Sequence, residues 1–200
     1  MIDLMARLAD ECRQEKIPAI DSEVGQLLAL LTHATGAQRV LEIGTAIGYS
    51  ALWICRGLRP SGELITIEQN RNRAERASEV FRDAGLQGRV ELVVGDALTI
   101  LPQLSPGFDL VFLDATKTIY PELLALGSSM LKPGGWLVTD NVLFKGLVHS
   151  LEPTPPYYRH MVEGLRRFWR EAEEMDGWLH GYIPMSDGVL LSRKGEKSNE

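Results

Sequence analysis

The chain has 200 residues, 44% of them apolar and 24% charged, with a formal net charge of −6 at pH 7. This is an ordinary globular composition, long enough to bury a substantial core and short enough for one domain. No apolar run reaches the roughly 18 residues of a membrane span, and the acidic balance argues against indiscriminate polyanion binding.

The opening stretch MIDLMARLADECRQEK alternates charges with apolar side chains instead of presenting the continuous apolar core of a signal peptide, so a cytoplasmic protein is expected. Met5, Leu8, Ala9 and Cys12 recur at helical spacing, as do Val24, Leu27, Leu28 and Leu31 behind the N-cap candidates Asp21 and Ser22. Two helices are therefore expected over residues 1–35. Short β-rich runs then alternate with helical ones: RVLEI and a helix from about Tyr49, ELITIE and NRNRAERASEVFRDAG, RVELVVG and ALTILPQL, FDLVFLD and YPELLALGSSML, then GWLVTD. Strands punctuated by Gly or Pro and separated by helices are the pattern of βαβ units, which predicts a Rossmann-like, doubly wound α/β domain with helices on both faces of the sheet.

Beyond Asp140 a loop with Pro153, Pro155 and Pro156 leads to an amphipathic helix using Tyr158, Met161, Val162, Leu165, Phe168, Trp169 and Ala172. GWLHGYIP and GVLLSRK are joined by a few residues around Ser186, Asp187 and Gly188, which permits an antiparallel hairpin but no parallel crossover. The expected organisation is one domain over 1–200, with N-terminal helices at 1–35, the core at 36–193 and a flexible tail at 194–200, KGEKSNE. Cys12 and Cys55 lack CxxC spacing, so neither a disulfide nor a zinc site is expected. His33, His149, His160 and His180 show no ligand spacing, and only His149 lies in the loop after TDN.

Two places carry chemistry. In VLEIGTAIGYSAL a strand runs into a glycine turn and a helix; Gly44 and Gly48 permit a sharp turn and close approach to a ligand. The next strand ends in Glu68, placed to accept two hydrogen bonds from a ribose diol, or else simply a solvated strand end. FDLVFLDATK ends the fourth strand with Asp114, and GWLVTDN ends the fifth with Asp140 and Asn141. Neighbouring strand ends would bring two carboxylates and an amide together, a donor set that suits magnesium or another hard divalent cation. The plainer readings are an Asx turn at Asp140–Asn141 and an exposed lysine at Lys117.

Glu42, the Gly44-x-x-x-Gly48 turn, Glu68 and the GDA after the third strand together resemble the class I S-adenosylmethionine methyltransferases. That resemblance implies a seven-stranded sheet with an antiparallel last strand. It also implies Glu42, Gly44 and Ser50 at the methionine part of the cofactor, Glu68 at the ribose, Asp96 or Ala97 at the adenine, and Ile20 as a further contact. The D-x-x-K of Asp114 and Lys117, followed by Asp140 and Asn141, is similar to the cation-dependent O-methyltransferases, including the catechol and caffeoyl-coenzyme A enzymes. It implies Asp114, Asp140 and Asn141 as metal ligands and Asp114 also beside the cofactor. Lys117 would lie near the attacking hydroxyl, to accept or stabilise the departing proton once the nearby cation depresses its pKa. A homodimer using the N-terminal helix is implied as well.

DNVLFKGLV is similar to the bacterial enzymes that methylate 5-hydroxyuridine at the wobble position of transfer RNA. This implies a transfer RNA partner, with Lys145, Arg159 and Arg166 among the phosphate contacts; the alternative for such arginines is i,i+4 pairing with glutamates. A small catechol or caffeoyl-coenzyme A-type acceptor is the alternative substrate, and a noncatalytic nucleotide-binding protein is a more remote one. A nicotinamide oxidoreductase would need a third glycine and a Tyr-Lys or His constellation, neither of which is evident. Tyr158 is expected in the core, with Phe144 left open as a stacking surface.

Overall fold

The structure, a computed structural model, describes residues 1–196. Seven strands make one sheet in the order β3-β2-β1-β4-β5-β7-β6, with β1 at Arg39–Ile43, β2 at Glu63–Glu68, β3 at Val90–Val94, β4 at Phe108–Leu113, β5 at Leu131–Thr139, β6 at Trp178–Ile183 and β7 at Val189–Lys194. The expected Rossmann-like sheet with an antiparallel last strand is present: β7 runs antiparallel to both β5 and β6. The chain forms two compact units, Met1–Ile100 and the part from Leu101 onward.

In the first unit β1, β2 and β3 pair in parallel, and the near-continuous apolar runs VLEI and LITI are buried as a sheet covered on its faces requires. The helices are α1 (Ile2–Glu15), α2 (Ser22–Ala34), α3 (Tyr49–Gly57), α4 (Arg71–Asp83) and the four-residue α5 (Ala97–Ile100). Met5, Leu8 and Cys12 form the buried stripe of α1, while Ala9 is only half-buried. Arg76 of α4 donates from Nε and Nη2 to the two carboxylate oxygens of Glu11, both at 2.7 Å, a two-pronged bond that ties α1 to α4. Helices α2 and α3 meet through glycines: a Cβ on Gly25 would lie 2.4 Å from the Trp53 indole, and one on Gly57 would lie 2.2 Å from the Ala29 carbonyl oxygen.

In the second unit β4 pairs in parallel with β5, flanked by α6 (Tyr120–Met130) and α7 (Arg159–Glu173). Val162, Leu165, Phe168 and Ala172 of α7 are buried as the amphipathic pattern requires. Tyr158 departs from its expected core place. It is half-buried in a short 3-10 turn, edge-on to Phe144 at 5.3 Å and to Tyr157 at 5.1 Å. The reason is its hydroxyl, which accepts a 2.8 Å bond from Lys145 Nζ and so stays at the surface. The expected tail also begins too early: Lys194 is the last residue of β7, and its ammonium donates to the Ser128 and Leu131 carbonyls at 2.9 Å each. Residues 197–200 of that expected tail lie outside the described residues. Among the described residues no helix is long and apolar enough to cross a membrane.

The α2–α3 contact gives a test of the packing. Gly57→Ala would gain helix propensity of at most about 1 kcal/mol, but its methyl meets a backbone carbonyl that cannot rotate away, and overpacking costs about 1–3 kcal/mol. Net destabilisation is expected in urea unfolding; equal or greater stability would show that the helices separate without penalty.

Candidate functional site

The glycine turn of the first unit is a polar assembly under strand-end control. Gly44 (φ 107°), Ala46 (φ 47°) and Gly48 (φ 95°) are all left-handed, and the Gly44 and Thr45 amides donate to the Ile67 carbonyl at 3.0 and 3.2 Å. Glu68, at the end of β2, is buried, and its two carboxylate oxygens accept from the backbone amides of Ala46 and Asn70, each at 2.8 Å. Glu68 is therefore not the solvated strand end of the plainer reading. It pins the middle of the turn and the residue that caps α4, leaving lone pairs on each oxygen for further donors. Gly48 has a packing cause beyond turning: a Cβ there would stand 2.9 Å from the Phe81 ring.

Beneath the turn, buried Glu42 accepts from Thr66 Oγ1 at 2.5 Å, and the Thr66 hydroxyl is in turn bonded to that of Thr45. Glu42 and Thr66 are register partners on β1 and β2, so this chain follows from strand pairing, and Thr45 and Thr66 carried no local sequence signal. Ser50 is buried in the first turn of α3, and Ile20 is buried ahead of α2. Asp96 is exposed, with Oδ1 accepting from Leu98 N–H at 3.1 Å and its carbonyl accepting from Thr99 and Ile100; it opens α5, and Ala97 is that helix's half-buried first residue.

The acidic assembly of the second unit stands at the ends of β4 and β5. Leu113 and Thr139 are register partners, so Asp114 and Asp140 leave their strands side by side. Asp140 is buried, with its Oδ1 accepting the Asn141 backbone N–H at 2.8 Å and its carbonyl accepting the Tyr120 hydroxyl at 3.0 Å. Burial first, and then the neighbouring Asp114 charge, push the Asp140 carboxyl up to about 7, against the opposing pull of the Asn141 amide and Lys117. Asn141 is left-handed, φ 55°, a conformation that asparagine tolerates better than most residues.

Lys117 is not the exposed lysine of the plainer reading. Its Nζ lies 2.9 Å from Asp114 Oδ1 and 5.2 Å from the Tyr120 ring centre. Burial works to lower its pKa, but Tyr120 and Asp114 outweigh burial and hold it above the ordinary lysine value. Tyr120 is fully buried; burial raises its hydroxyl pKa, as do the two aspartates, with Lys117 opposing. This tyrosine begins α6, and nothing in its local sequence set it apart from a core residue.

Two carboxylates and an amide fit a hard cation on their donor chemistry, and the Asp140 carboxyl, raised first by burial and then by the Asp114 charge, is one whose charged form a divalent ion would favour. The described residues hold no grouping of three or more His, Cys, Asp or Glu with ligand geometry, so this set depends on the amide. The turn of the first unit likewise fits an adenosyl cofactor in its donor set: a strand-end carboxylate with lone pairs remaining beside a left-handed glycine loop.

Two of the three residues expected at phosphates, Lys145 and Arg166, are engaged within the chain. Arg166 donates to the Val148 carbonyl at 2.8 Å, the Leu147 carbonyl at 3.2 Å and the Ser150 carbonyl at 3.3 Å, so it staples a loop instead of pairing with a glutamate. The i,i+4 pair on α7 is Arg167 with Glu171 at 2.7 Å, and Arg159 is exposed. His149 is exposed and edge-on to Trp169 at 5.6 Å.

A family model described as O-methyltransferase matches residues 2–195. The chain belongs to this family and is an S-adenosylmethionine-dependent O-methyltransferase. It is 35% identical over 172 residues to a catechol O-methyltransferase of Niastella koreensis, covering 83% of this chain and 76% of that protein. It is 42% identical over 129 residues to a catechol O-methyltransferase of Mycobacterium tuberculosis, covering 64% and 59%. Among solved structures it resembles the O-methyltransferase TomG from Streptomyces achromogenes, in complex with S-adenosylmethionine, with a TM-score of 0.86 and 34% identity over 96% of this chain and 89% of that one. It also resembles an O-methyltransferase from Bacillus cereus in complex with S-adenosylhomocysteine, with a TM-score of 0.86 and 27% identity over 96% and 90%.

Glu68→Ala removes an acceptor from two backbone amides. The ribose bonds expected of its remaining lone pairs are lost with it, and at about 1.5–3 kcal/mol for each charged hydrogen bond S-adenosylhomocysteine affinity should fall by roughly tenfold or more. Calorimetric titration checks this, and an unchanged dissociation constant would remove Glu68 from cofactor binding.

Proposed function

We propose that the enzyme methylates one of two neighbouring oxygens on a small aromatic acceptor of the catechol kind, and that it requires a divalent cation at Asp114, Asp140 and Asn141. The observation that carries this reading is the pair of strand-end carboxylates, one of them buried with its pKa pushed up to about 7. The catechol O-methyltransferases among the relatives support the acceptor class. When bound, the cation supplies Lewis acidity that lowers the acceptor hydroxyl's pKa and a template for the two oxygens.

The remaining work falls to this chain. Glu68, with the glycine turn it pins, holds the ribose, while Glu42, Gly44 and Ser50 face the methionine part and Asp96 and Ala97 the adenine. Methyl transfer forms a carbon–oxygen bond and breaks the sulfur–carbon bond, whose electron pair returns to the sulfonium sulfur as a neutral thioether. Lys117 Nζ, which Tyr120 and Asp114 hold above the ordinary lysine pKa, serves as an ammonium that stabilises the deprotonated acceptor oxygen while the proton leaves to solvent. Only the neutral amine, which burial favours, could take that proton itself.

Transfer RNA carrying 5-hydroxyuridine offers the same paired oxygens, but two of the three cations proposed for its phosphates, Lys145 and Arg166, already have partners within the chain, while Arg159 is exposed. Arg166 bonds three loop carbonyls, and Lys145 Nζ is on the Tyr158 hydroxyl with its charge 4.6 Å from that ring's centre. That engagement favours the small acceptor.

The test offers purified enzyme a catechol panel and hypomodified transfer RNA side by side, with chelator and then with magnesium restored. Catechol turnover that chelator abolishes and magnesium restores is the expected result. Undiminished turnover in excess chelator would dismiss the cation. Methylation of the RNA with no catechol turned over would transfer the acceptor assignment to nucleic acid.

A further inference from the structure

The loop that follows Asp140 is conformationally costly. Asn141 (φ 55°), Phe144 (φ 45°) and Lys145 (φ 57°) are left-handed without being glycine, at about 1–2 kcal/mol each. Such a backbone persists only where surrounding structure over-determines it. Much of the restraint comes from the turn joining β6 to β7, more than 40 residues away in sequence. Asp187 Oδ1 accepts the Lys145 N–H at 2.6 Å, the Asp187 carbonyl accepts the Leu143 N–H at 3.0 Å, and the Gly188 carbonyl accepts the Val142 N–H at 3.0 Å. Gly188 is itself left-handed (φ 84°), and a Cβ there would meet Leu143 Cγ at 2.7 Å, so the turn and the loop are in intimate contact.

Of these three bonds only one uses a side chain. Asp187 could have served the Lys145 charge, yet that ammonium is directed to the Tyr158 hydroxyl at 2.8 Å, and the Asp187 oxygen goes to the backbone amide. The bond acts on the residue whose left-handed conformation turns the chain back toward Gly146, also left-handed at φ 72°. From the other side Trp169 Nε1 donates to the Val142 carbonyl at 3.0 Å, so Val142, the residue next to Asn141, is gripped at both its carbonyl and its amide.

We propose that Asp187 is a positioning residue for the cation site: through its bond to the Lys145 amide it holds the 141–146 loop in its left-handed course and so fixes the Asn141 backbone, whose N–H is bonded to Asp140, and with it the start of the side chain that would supply the ligand oxygen. The inference rests on the reading of Asn141 as a ligand. Partners one step removed from metal ligands orient those ligands, and their loss typically lowers metal affinity or activity by about 10–100-fold.

The experiment compares wild type, Asp187→Ala and Asp187→Asn, measuring Mn2+ affinity by calorimetry, turnover, and S-adenosylhomocysteine affinity without metal. Asp187→Ala should weaken Mn2+ binding and lower kcat by about tenfold or more while cofactor affinity stays at the wild-type value. Asp187→Asn keeps an oxygen acceptor and should restore most of both. Glycine takes a left-handed backbone freely, so in a Lys145→Gly background Asp187→Ala should cost distinctly less. Wild-type Mn2+ affinity in Asp187→Ala overturns the inference, as does an equal loss in Asp187→Asn or an undiminished loss in the Lys145→Gly background. Lowered cofactor affinity in parallel with metal affinity also overturns it, because that is the signature of general destabilisation. If wild type binds no Mn2+ and works in chelator, the cation reading has failed and Asn141 is no ligand to be positioned.

Discussion

Two parallel strands that end in register deliver their next residues to the same place, and in β4 and β5 both next residues are aspartates. The pairing of Leu113 with Thr139 therefore forces Asp114 and Asp140 together, and burial of Asp140 removes the water that would screen them. Several nearby polar groups answer that constraint, although the Asp187 charge adds to it. Lys117 pairs with Asp114, the Asn141 amide serves Asp140 Oδ1, and Tyr120 donates to the Asp140 carbonyl. The compensation is partial: burial first, and then the Asp114 charge, still hold the Asp140 carboxyl well above the ordinary carboxylate range.

The glycine turn of the first unit applies the same geometry to a different end. There β1 and β2 pair in parallel, and the acid at the end of β2 turns its oxygens onto the backbone of the turn that follows β1. A carboxylate in this place does two jobs at once. It stabilises the left-handed Ala46 peptide, and it keeps lone pairs available at the carboxyl edge of the strands, where open α/β sheets bind their ligands.

Helix α7 shows how support for a site hides in an element that looks purely structural. Its buried stripe accounts for Val162, Leu165, Phe168 and Ala172, but Gly164 lies where a Cβ would stand 2.6 Å from the Lys117 carbonyl oxygen. One turn along, Arg166 and Trp169 hold carbonyls of the loop that begins at Asn141. A single helix thus braces the backbone of the lysine and of the amide donor, through a glycine, an arginine and a tryptophan that amphipathic patterning treats as filler or solvated surface.

The alternation of strands and helices, the closing hairpin, and the strand-end placement of Glu68, Asp114, Asp140 and Asn141 were legible in the sequence because each depends on local signals: hydrophobic period, glycine and proline punctuation, and polarity at the end of an apolar run. Tertiary structure alone decided the rest. Thr45 and Thr66 reach Glu42 only through strand register, and Asp187 reaches Lys145 across 42 residues of chain. Arg166 reached neither a phosphate nor a glutamate because loop carbonyls lay within its reach, and Tyr158 left the core because its hydroxyl had a lysine to bond. A residue's own neighbours in sequence set its backbone preference, whereas the partner that satisfies a buried donor, charge or strained peptide is chosen by packing and has no local trace.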